Sequence, residues 1–141
     1  MSPLAALNMV LTFVLGIVPG TFFCVMAVGL GCMSLVSLVF PTFWGAPPSS
    51  ALFALLVVPV AVMAVYGYIG LFYAAGDMVT PKVARWLLYG ILATVFFVAI
   101  LAREPEYFRP GAWSFFSSPA IVGGLHVARF LIRSRRRRAS V

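Results

Sequence analysis

The sequence predicts an all-α integral membrane protein, a bundle of about four transmembrane helices. Hydrophobic residues make up 63% of the 141-residue chain, charged residues only 9%, and the mean hydropathy is +1.09. A soluble domain carries nearer a quarter charged residues, and ten basic and three acidic side chains cannot cover its surface. Lipid is therefore expected to surround much of the molecule, and each apolar stretch of about 20 residues is a candidate span.

The first element is expected to be one long helix over residues 9–40, kinked at Pro19. Residues 3–40 contain no charged side chain, and as one straight helix they would be about 57 Å long, against roughly 30 Å of hydrocarbon. Pro19 removes a backbone donor and Gly20 frees the chain, so either a kink or a hairpin is possible here. A hairpin of residues 4–40 would give five spans, but its first arm would be only about 23 Å long. The single kinked span is therefore favoured.

Three further spans follow, separated by connections too short to hold a soluble domain. The second covers residues 50–75 and contains no charge, the third covers residues 83–102, and the fourth covers residues 113–132. Residues 133–141 form a basic tail that is too polar to enter the bilayer. Any activity of this chain is therefore expected within the membrane or at its two faces.

The basic residues predict that the C-terminus faces the cytoplasm, because cytoplasmic connections carry an excess of Lys and Arg. This orientation places eight basic residues inside and leaves Arg103 and Arg109 outside. Anionic headgroups attract each basic residue near the surface by about 1 kcal/mol, so contacts between the tail and the lipid headgroups are expected. The residues expected to make them are Arg133, Arg135, Arg136, Arg137 and Arg138.

The net charge of +7 has two interpretations. In a soluble protein such an excess would favour nucleic-acid binding. Here half of the basic residues follow directly after an apolar segment, which is typical of a topology signal beside an anionic membrane surface. Nucleic-acid binding is therefore disfavoured.

His126 and Arg129 are the ionisable residues of the fourth span, and they lie three apart on one helix face. Ionisable groups within a span are costly and therefore raise a functional hypothesis. Arg129 is close enough to the helix end to extend to the headgroups, and His126 lies about one turn deeper. We favour a structural role for both. The functional alternative is a proton-responsive or anionic-lipid site at the cytoplasmic face, joined by Arg85.

Tyr66 and Tyr73 lie seven apart on one face of the second span. A buried tyrosine hydroxyl needs a hydrogen-bond partner, so interhelical hydrogen bonding is the favoured interpretation. The alternative is that the two tyrosines line a small-molecule pocket. The polar residues available as partners are Asn8, Thr12, Thr21, Ser34, Ser37 and Thr94.

Pairs of small residues indicate where helices approach closely, either within the chain or in a dimer. These pairs are Gly16 with Gly20, Ala27 with Gly31, Gly67 with Gly70, and Gly123 with Gly124.

The sequence contains no recognisable catalytic or cofactor-binding pattern, so no cofactor and no metal is expected. A single histidine cannot supply two ligands to a haem, and no carboxylate lies at membrane depth to complete a metal site. Glu104 and Glu106 could form a catalytic pair, but both have arginines nearby. An ion-paired turn is therefore favoured for this connection.

The predicted function is that of a non-enzymatic accessory or assembly subunit of a membrane complex, whose partners are other membrane-protein subunits or a second copy. The alternative is a small transporter, channel or holin-like pore, formed by oligomerisation around Tyr66 and Tyr73 or around His126. A small enzyme acting on lipid through Glu104, Glu106 or His126 ranks last. The composition, rich in Ala and Arg, suggests a bacterial inner membrane.

Overall fold

The computed structural model of the protein describes residues 3–40, 49–101 and 110–139. These residues are almost entirely helical and contain no strand, so the all-α class is confirmed. Four helices are long and apolar enough to cross a membrane. The elements are α1 (Pro3–Leu11), a π-helical segment (Thr12–Ile17), α2 (Val18–Val39), α3 (Ser49–Ala75), α4 (Pro81–Leu101) and α5 (Pro110–Ala139).

The first span is a continuous helical rod of 37 residues, Pro3–Val39, made of α1, the π-helical segment and α2. Ile17 and Val18, which lead into Pro19, both have helical dihedral angles, with φ of −73° and −61°. No turn therefore interrupts the chain at this point. The structure contradicts the hairpin alternative for residues 4–40, and with it the fifth span.

The irregularity expected at Pro19 takes the form of the π-helical turn just before it. The Val18 amide donates a hydrogen bond to the Phe13 carbonyl, five residues back instead of four. In a regular α-helix Pro19 would have no N–H for the Leu15 carbonyl, and its ring would collide with that carbonyl. The shift from hydrogen bonds four residues back to bonds five residues back therefore occurs next to Pro19, which has no N–H to donate. The helix is distorted one turn before the proline and is not broken at it.

Consecutive spans pack antiparallel, and the bundle closes because the first span also packs against α5. The short connection from α3 to α4 requires neighbouring antiparallel helices. The contacts that set the register are Gly31–Ala61 and Gly20–Tyr68 between α2 and α3, Gly67–Gly90 between α3 and α4, Leu87–Gly123 between α4 and α5, and Gly16–Val122 between the π-helical segment and α5.

The closest backbone approach among the glycines lies between α3 and α4. A Cβ atom built on Gly67 would lie 2.2 Å from the Cα atom of Gly90, and one built on Gly90 would lie 2.7 Å from the Cα atom of Gly67. Only glycine fits on either side of this crossing. Gly124, by contrast, has open space where a Cβ atom would be.

The interior contains small and medium apolar side chains, and many of the bulky apolar ones face outward. Two clusters form the core, one of Ile17, Leu71, Ala74, Val83, Leu87 and Val122, and the other of Phe23, Ala27, Ala61, Ala64, Ala93 and Phe97. On the outside, Val25 and Ile121 are 67% and 60% exposed, as parts of a largely apolar surface. Monomeric soluble proteins rarely expose contiguous apolar patches of this kind.

Helix α5 continues to Ala139 and so includes most of the residues predicted as a separate tail. Arginine and alanine are good helix formers, and positive charge at a helix C-terminus is favourable because it complements the helix dipole. The basic residues therefore project from a helix end. Residues 103–109, which carry the predicted pair Glu104 and Glu106, lie outside the described residues.

Candidate functional site

The polar side chains that the first span, the α3–α4 turn and α5 bring together lie at one end of the bundle, which we call the basic end. His126 and Thr12 are its deepest members, with 4% and 2% of their surface exposed. The Thr12 hydroxyl and His126 Nε2 form a hydrogen bond of 2.9 Å. Because both groups are almost fully buried, each supplies the partner that the other needs.

Arg129 lies nearly one turn further along α5 and is exposed. Its guanidinium donates a hydrogen bond to the Asn8 side-chain oxygen. The two pairs, Asn8 with Arg129 and Thr12 with His126, follow from the antiparallel packing of the two helices. Residues four apart on the first span face residues three apart on α5.

Asp77 forms the C-terminal cap of α3 in an unusual backbone conformation. Its φ of 55° is left-handed, its amide donates to the Ala74 carbonyl (3.1 Å), and the Met78 amide donates to the Tyr73 carbonyl (2.9 Å). This pattern is a Schellman motif, in which the left-handed position usually holds glycine. Aspartate tolerates the conformation better than most side chains do.

The same turn then starts α4 and holds Asp77 near α5. The Val83 amide donates to the Thr80 hydroxyl at 3.3 Å, and Pro81 occupies the first helical position, where no N–H is needed. The Asp77 carboxylate lies 3.4 Å from Arg133 Nη1. Both side chains are about two-thirds exposed, at 65% and 68%. Such an ion pair contributes at most about 1 kcal/mol.

Between these elements lies an open cleft of about 570 Å³. One wall is apolar and comes from α1, and the opposite wall carries the charged groups of α5 and the turn. We call this space the basic-end cleft. The residues that line it are Leu4, Ala5, Leu7, Asn8, Met9, Leu11, Ala75, Gly76, Asp77, Arg129 and Arg133.

The other predicted basic residues lie elsewhere. Arg85 is exposed on α4 and does not line the basic-end cleft. Arg135 and Arg136 are exposed on the last turns of α5. Arg137 and Arg138 belong to the same helix, and their side chains lie outside the described part of the structure.

Tyr66 and Tyr73 lie on the outer surface of α3, where they are 42% and 43% exposed, and not in the interior. Both rings pack against Trp86 of α4 in tilted arrangements, with their centroids 5.8 and 5.9 Å from that of the indole. Lys82 Nζ lies over the same indole at 5.1 Å from its centroid. An aromatic cluster with a cation at its edge is typical of the level of the lipid headgroups.

The tyrosine that reaches a helix interface is Tyr68. Its hydroxyl forms a 2.7 Å hydrogen bond with the Thr21 hydroxyl, and Thr21 was among the predicted partners. Thr21 also donates to the Ile17 carbonyl at 2.8 Å, beside the π-helical turn. Tyr68 lines a small pocket of about 20 Å³, which has room for about one water molecule.

Sequence reasoning missed three members of the basic end. The sequence predicts Asn8 and Thr12 only as partners for tyrosines, and it does not single out Asp77. A signal was present, because Asn8 and Thr12 are the only amide and hydroxyl side chains between residues 3 and 20 and lie one turn apart. Two polar residues so placed on an apolar helix predict two polar partners on one neighbouring helix.

Within the described residues, no three His, Cys, Asp or Glu side chains come together in a way that could hold a metal ion. Comparison of the chain with models of protein families, with curated proteins and with solved structures finds no match.

Proposed function

We propose that this chain is a multi-pass membrane protein that serves as a non-enzymatic accessory or assembly subunit of a membrane complex, with its C-terminus in the cytoplasm. One observation carries the proposal. Four span-length helices turn bulky apolar side chains outward, while Asn8, Thr12 and Thr21 of the first span form hydrogen bonds with side chains of the same chain.

Insertion into a bilayer is supported by the lengths of the helices and by what they expose. Their apolar stretches run over 37, 21, 20 and 23 residues, and about 20 residues are enough to cross the hydrocarbon. In water the exposed valine, leucine and phenylalanine side chains would cost free energy in proportion to their area. In lipid this cost disappears.

A role in assembly is supported by the different extents to which the four spans are buried by the rest of the chain. In an apolar 18-residue stretch of the first span, only 17% of the residues are buried within the chain. In the corresponding stretches of the other three spans the share is 28–33%. The first span therefore offers the largest uncovered face to another membrane protein or to a second copy. Such contacts rely on close van der Waals packing, because lipid provides no hydrophobic drive.

Co-purification of the tagged chain in a mild detergent tests the proposal. We expect it to isolate with another membrane protein or with a second copy, and a chain that always isolates as a lone monomer would contradict the proposal. Val25→Trp on α2 should abolish the association because it adds bulk to the uncovered face. Leu92→Trp, at a 57%-exposed position on α4, is the matched control and should leave it intact.

The second function, a small transporter, channel or pore, stays a prediction. Tyr66 and Tyr73 lie on the outer surface, so they could line a path only between several copies of the chain. Flux of solute or ions through purified protein in liposomes tests this possibility. If Tyr66→Phe, Tyr73→Phe and His126→Ala all leave an observed flux unchanged, the proposed lining is wrong.

A further inference from the structure

We propose that the basic-end cleft binds one anionic phospholipid. In this complex Arg129 and Arg133 hold the phosphate, Asp77 competes with it for Arg133, and the acyl chains lie along α1. The inference deepens the proposed function and rests on its membrane insertion, with the basic end at an anionic leaflet. It differs from general attraction between the arginine-rich end of α5 and the membrane surface, because it specifies one lipid in one place.

The shape and lining of the cleft suit an amphiphile. Leu4, Leu7 and Leu11 lie three and four residues apart, so they form one apolar stripe along α1, and all three line the cleft. Their exposed fractions are 77%, 54% and 47%. The volume of about 570 Å³ falls in the range of ligand sites, roughly 300–1,000 Å³. A free phosphate would use only the charged wall.

The charged wall has the donors that a phosphate needs. Arg129 and Arg133 are four residues apart on α5 and therefore share one face. Arg129 uses a donor on Asn8, and a guanidinium carries five N–H donors. Two arginines and Asp77 leave one net positive charge, which matches the single negative charge of a phosphodiester. Planar guanidinium groups bind phosphate through paired hydrogen bonds.

Asp77 is placed to compete with the phosphate. Its carboxylate is 3.4 Å from Arg133 Nη1, and both side chains are mostly exposed, so the pair is weak and easily displaced. The left-handed backbone at this position favours glycine or asparagine, so the turn itself does not require a carboxylate. Removing that charge should leave Arg133 available to the lipid.

Titration of the full-length chain in mild detergent with phosphatidylglycerol, followed by native mass spectrometry, tests the site. We expect one retained lipid per chain and weak retention of phosphatidylcholine. Arg133→Gln should weaken binding about tenfold, as loss of a charge-assisted hydrogen bond predicts. Arg136→Gln removes the same charge from the same helix outside the cleft and should have little effect. Equal losses in both variants, or equal retention of the two lipids, would overturn the proposal.

Asp77→Asn gives a prediction of the opposite sign. Asparagine keeps the left-handed turn and removes the carboxylate, so phosphatidylglycerol should bind several-fold more tightly. Unchanged or weaker binding would overturn the competition between Asp77 and the phosphate. The thermal unfolding midpoint of each variant without added lipid, compared with that of the original chain, shows whether the turn and the bundle still fold.

Two further measurements distinguish a bound phospholipid from bound inorganic phosphate. Leu7→Ser should weaken lipid binding, whereas Val10→Ser, also on α1 but outside the cleft lining, should not. Inorganic phosphate at the same concentration should fail to displace the lipid, and its success would assign the site to free phosphate and overturn the proposal. Because the assay uses the isolated chain, lipid retention does not depend on a protein partner, so failure of the assembly role in the co-purification test would leave this inference intact.

Discussion

At the scale of single residues, the polar groups of the first span act as partners for α5. Among the described residues of the first span, Thr12 carries the only buried hydroxyl, and it faces His126, whose ring is buried at the same depth. Interhelical hydrogen bonds in membranes are worth about 0.6 kcal/mol on average and up to about 1.7 kcal/mol. The pair is nearly inaccessible, so its contribution should fall at the upper end of this range.

Replacing Thr12 by valine keeps the shape of the side chain and removes its hydroxyl. We expect Thr12→Val to lower the free energy of unfolding by about 1–2 kcal/mol, because His126 Nε2 would be left without its partner. Reversible unfolding in mixed micelles, followed by tryptophan fluorescence, measures the change. Thr21→Val is the matched control, because the Thr21–Tyr68 pair is more exposed and should cost less. Equal costs would argue against a special role for burial.

At the scale of the elements, the π-helical turn determines which residues of the first span meet α5. A π turn inserts one residue into the helical repeat and so rotates α1 by about 100° relative to α2. This rotation brings Asn8 to Arg129. The turn also precedes Pro19, so we expect a change at the proline to reach Asn8, about three turns away.

Replacing Pro19 by alanine tests this coupling. The alanine would supply an N–H for the Leu15 carbonyl, the π turn should relax to an α turn, and Asn8 should rotate away from Arg129. A short thiol-reactive cross-linker between Asn8→Cys and Arg129→Cys, with Cys24 and Cys32 changed to serine, reports the distance. We expect a large loss of cross-linking with Pro19→Ala and little loss with Pro59→Ala on α3. Undiminished cross-linking in the first variant would refute the coupling.

The crossing of α3 and α4 makes a second prediction at this scale. Gly67→Ala should lower the free energy of unfolding by about 1–3 kcal/mol, as expected for overpacking, because the new methyl group would overlap the backbone at Gly90. Gly124→Ala is the control and should be neutral or slightly stabilising, since its site is open and alanine favours the helix. The same micelle unfolding assay compares them, and similar values for the two variants would contradict the close crossing.

At the scale of the whole molecule, charge and hydropathy together predict one orientation. The α3–α4 turn, the start of α1 and the end of α5 lie at the basic end, and Arg103 and Arg109 follow the opposite end of α4 in the sequence. The rule for cytoplasmic Lys and Arg then places the basic end inside the cell. The lipid site proposed in the basic-end cleft requires this orientation.

Reporter fusions test the orientation. A reporter that is active only in the cytoplasm should work when it is fused after residue 141, and it should be inactive when fused after residue 105. A reporter that is active only outside should give the reverse pattern. Activity of the outside reporter at residue 141 would contradict the orientation and, with it, the lipid leaflet that we assign to the cleft.

The functional residues were only partly predictable from the sequence. His126 and Arg129 were singled out because ionisable groups are costly in a span, and they do lie in the polar cluster. Tyr66 and Tyr73 share a face as predicted, but a shared face does not reveal whether it points inward or outward. Asp77 could not be identified, because its importance depends on a left-handed turn and on Arg133, 56 residues away in the sequence.

The sequence by itself determined the all-helical class and the four apolar segments, because both depend on local transfer of side chains and backbone out of water. Only the tertiary structure decided which polar groups meet. That choice depends on how far each helix is rotated about its axis, and the π turn changes this rotation without leaving a trace in the apolar pattern. The pairing of Asn8 with Arg129, the outward position of Tyr66, and the contact between Gly67 and Gly90 all follow from rotation and register between helices.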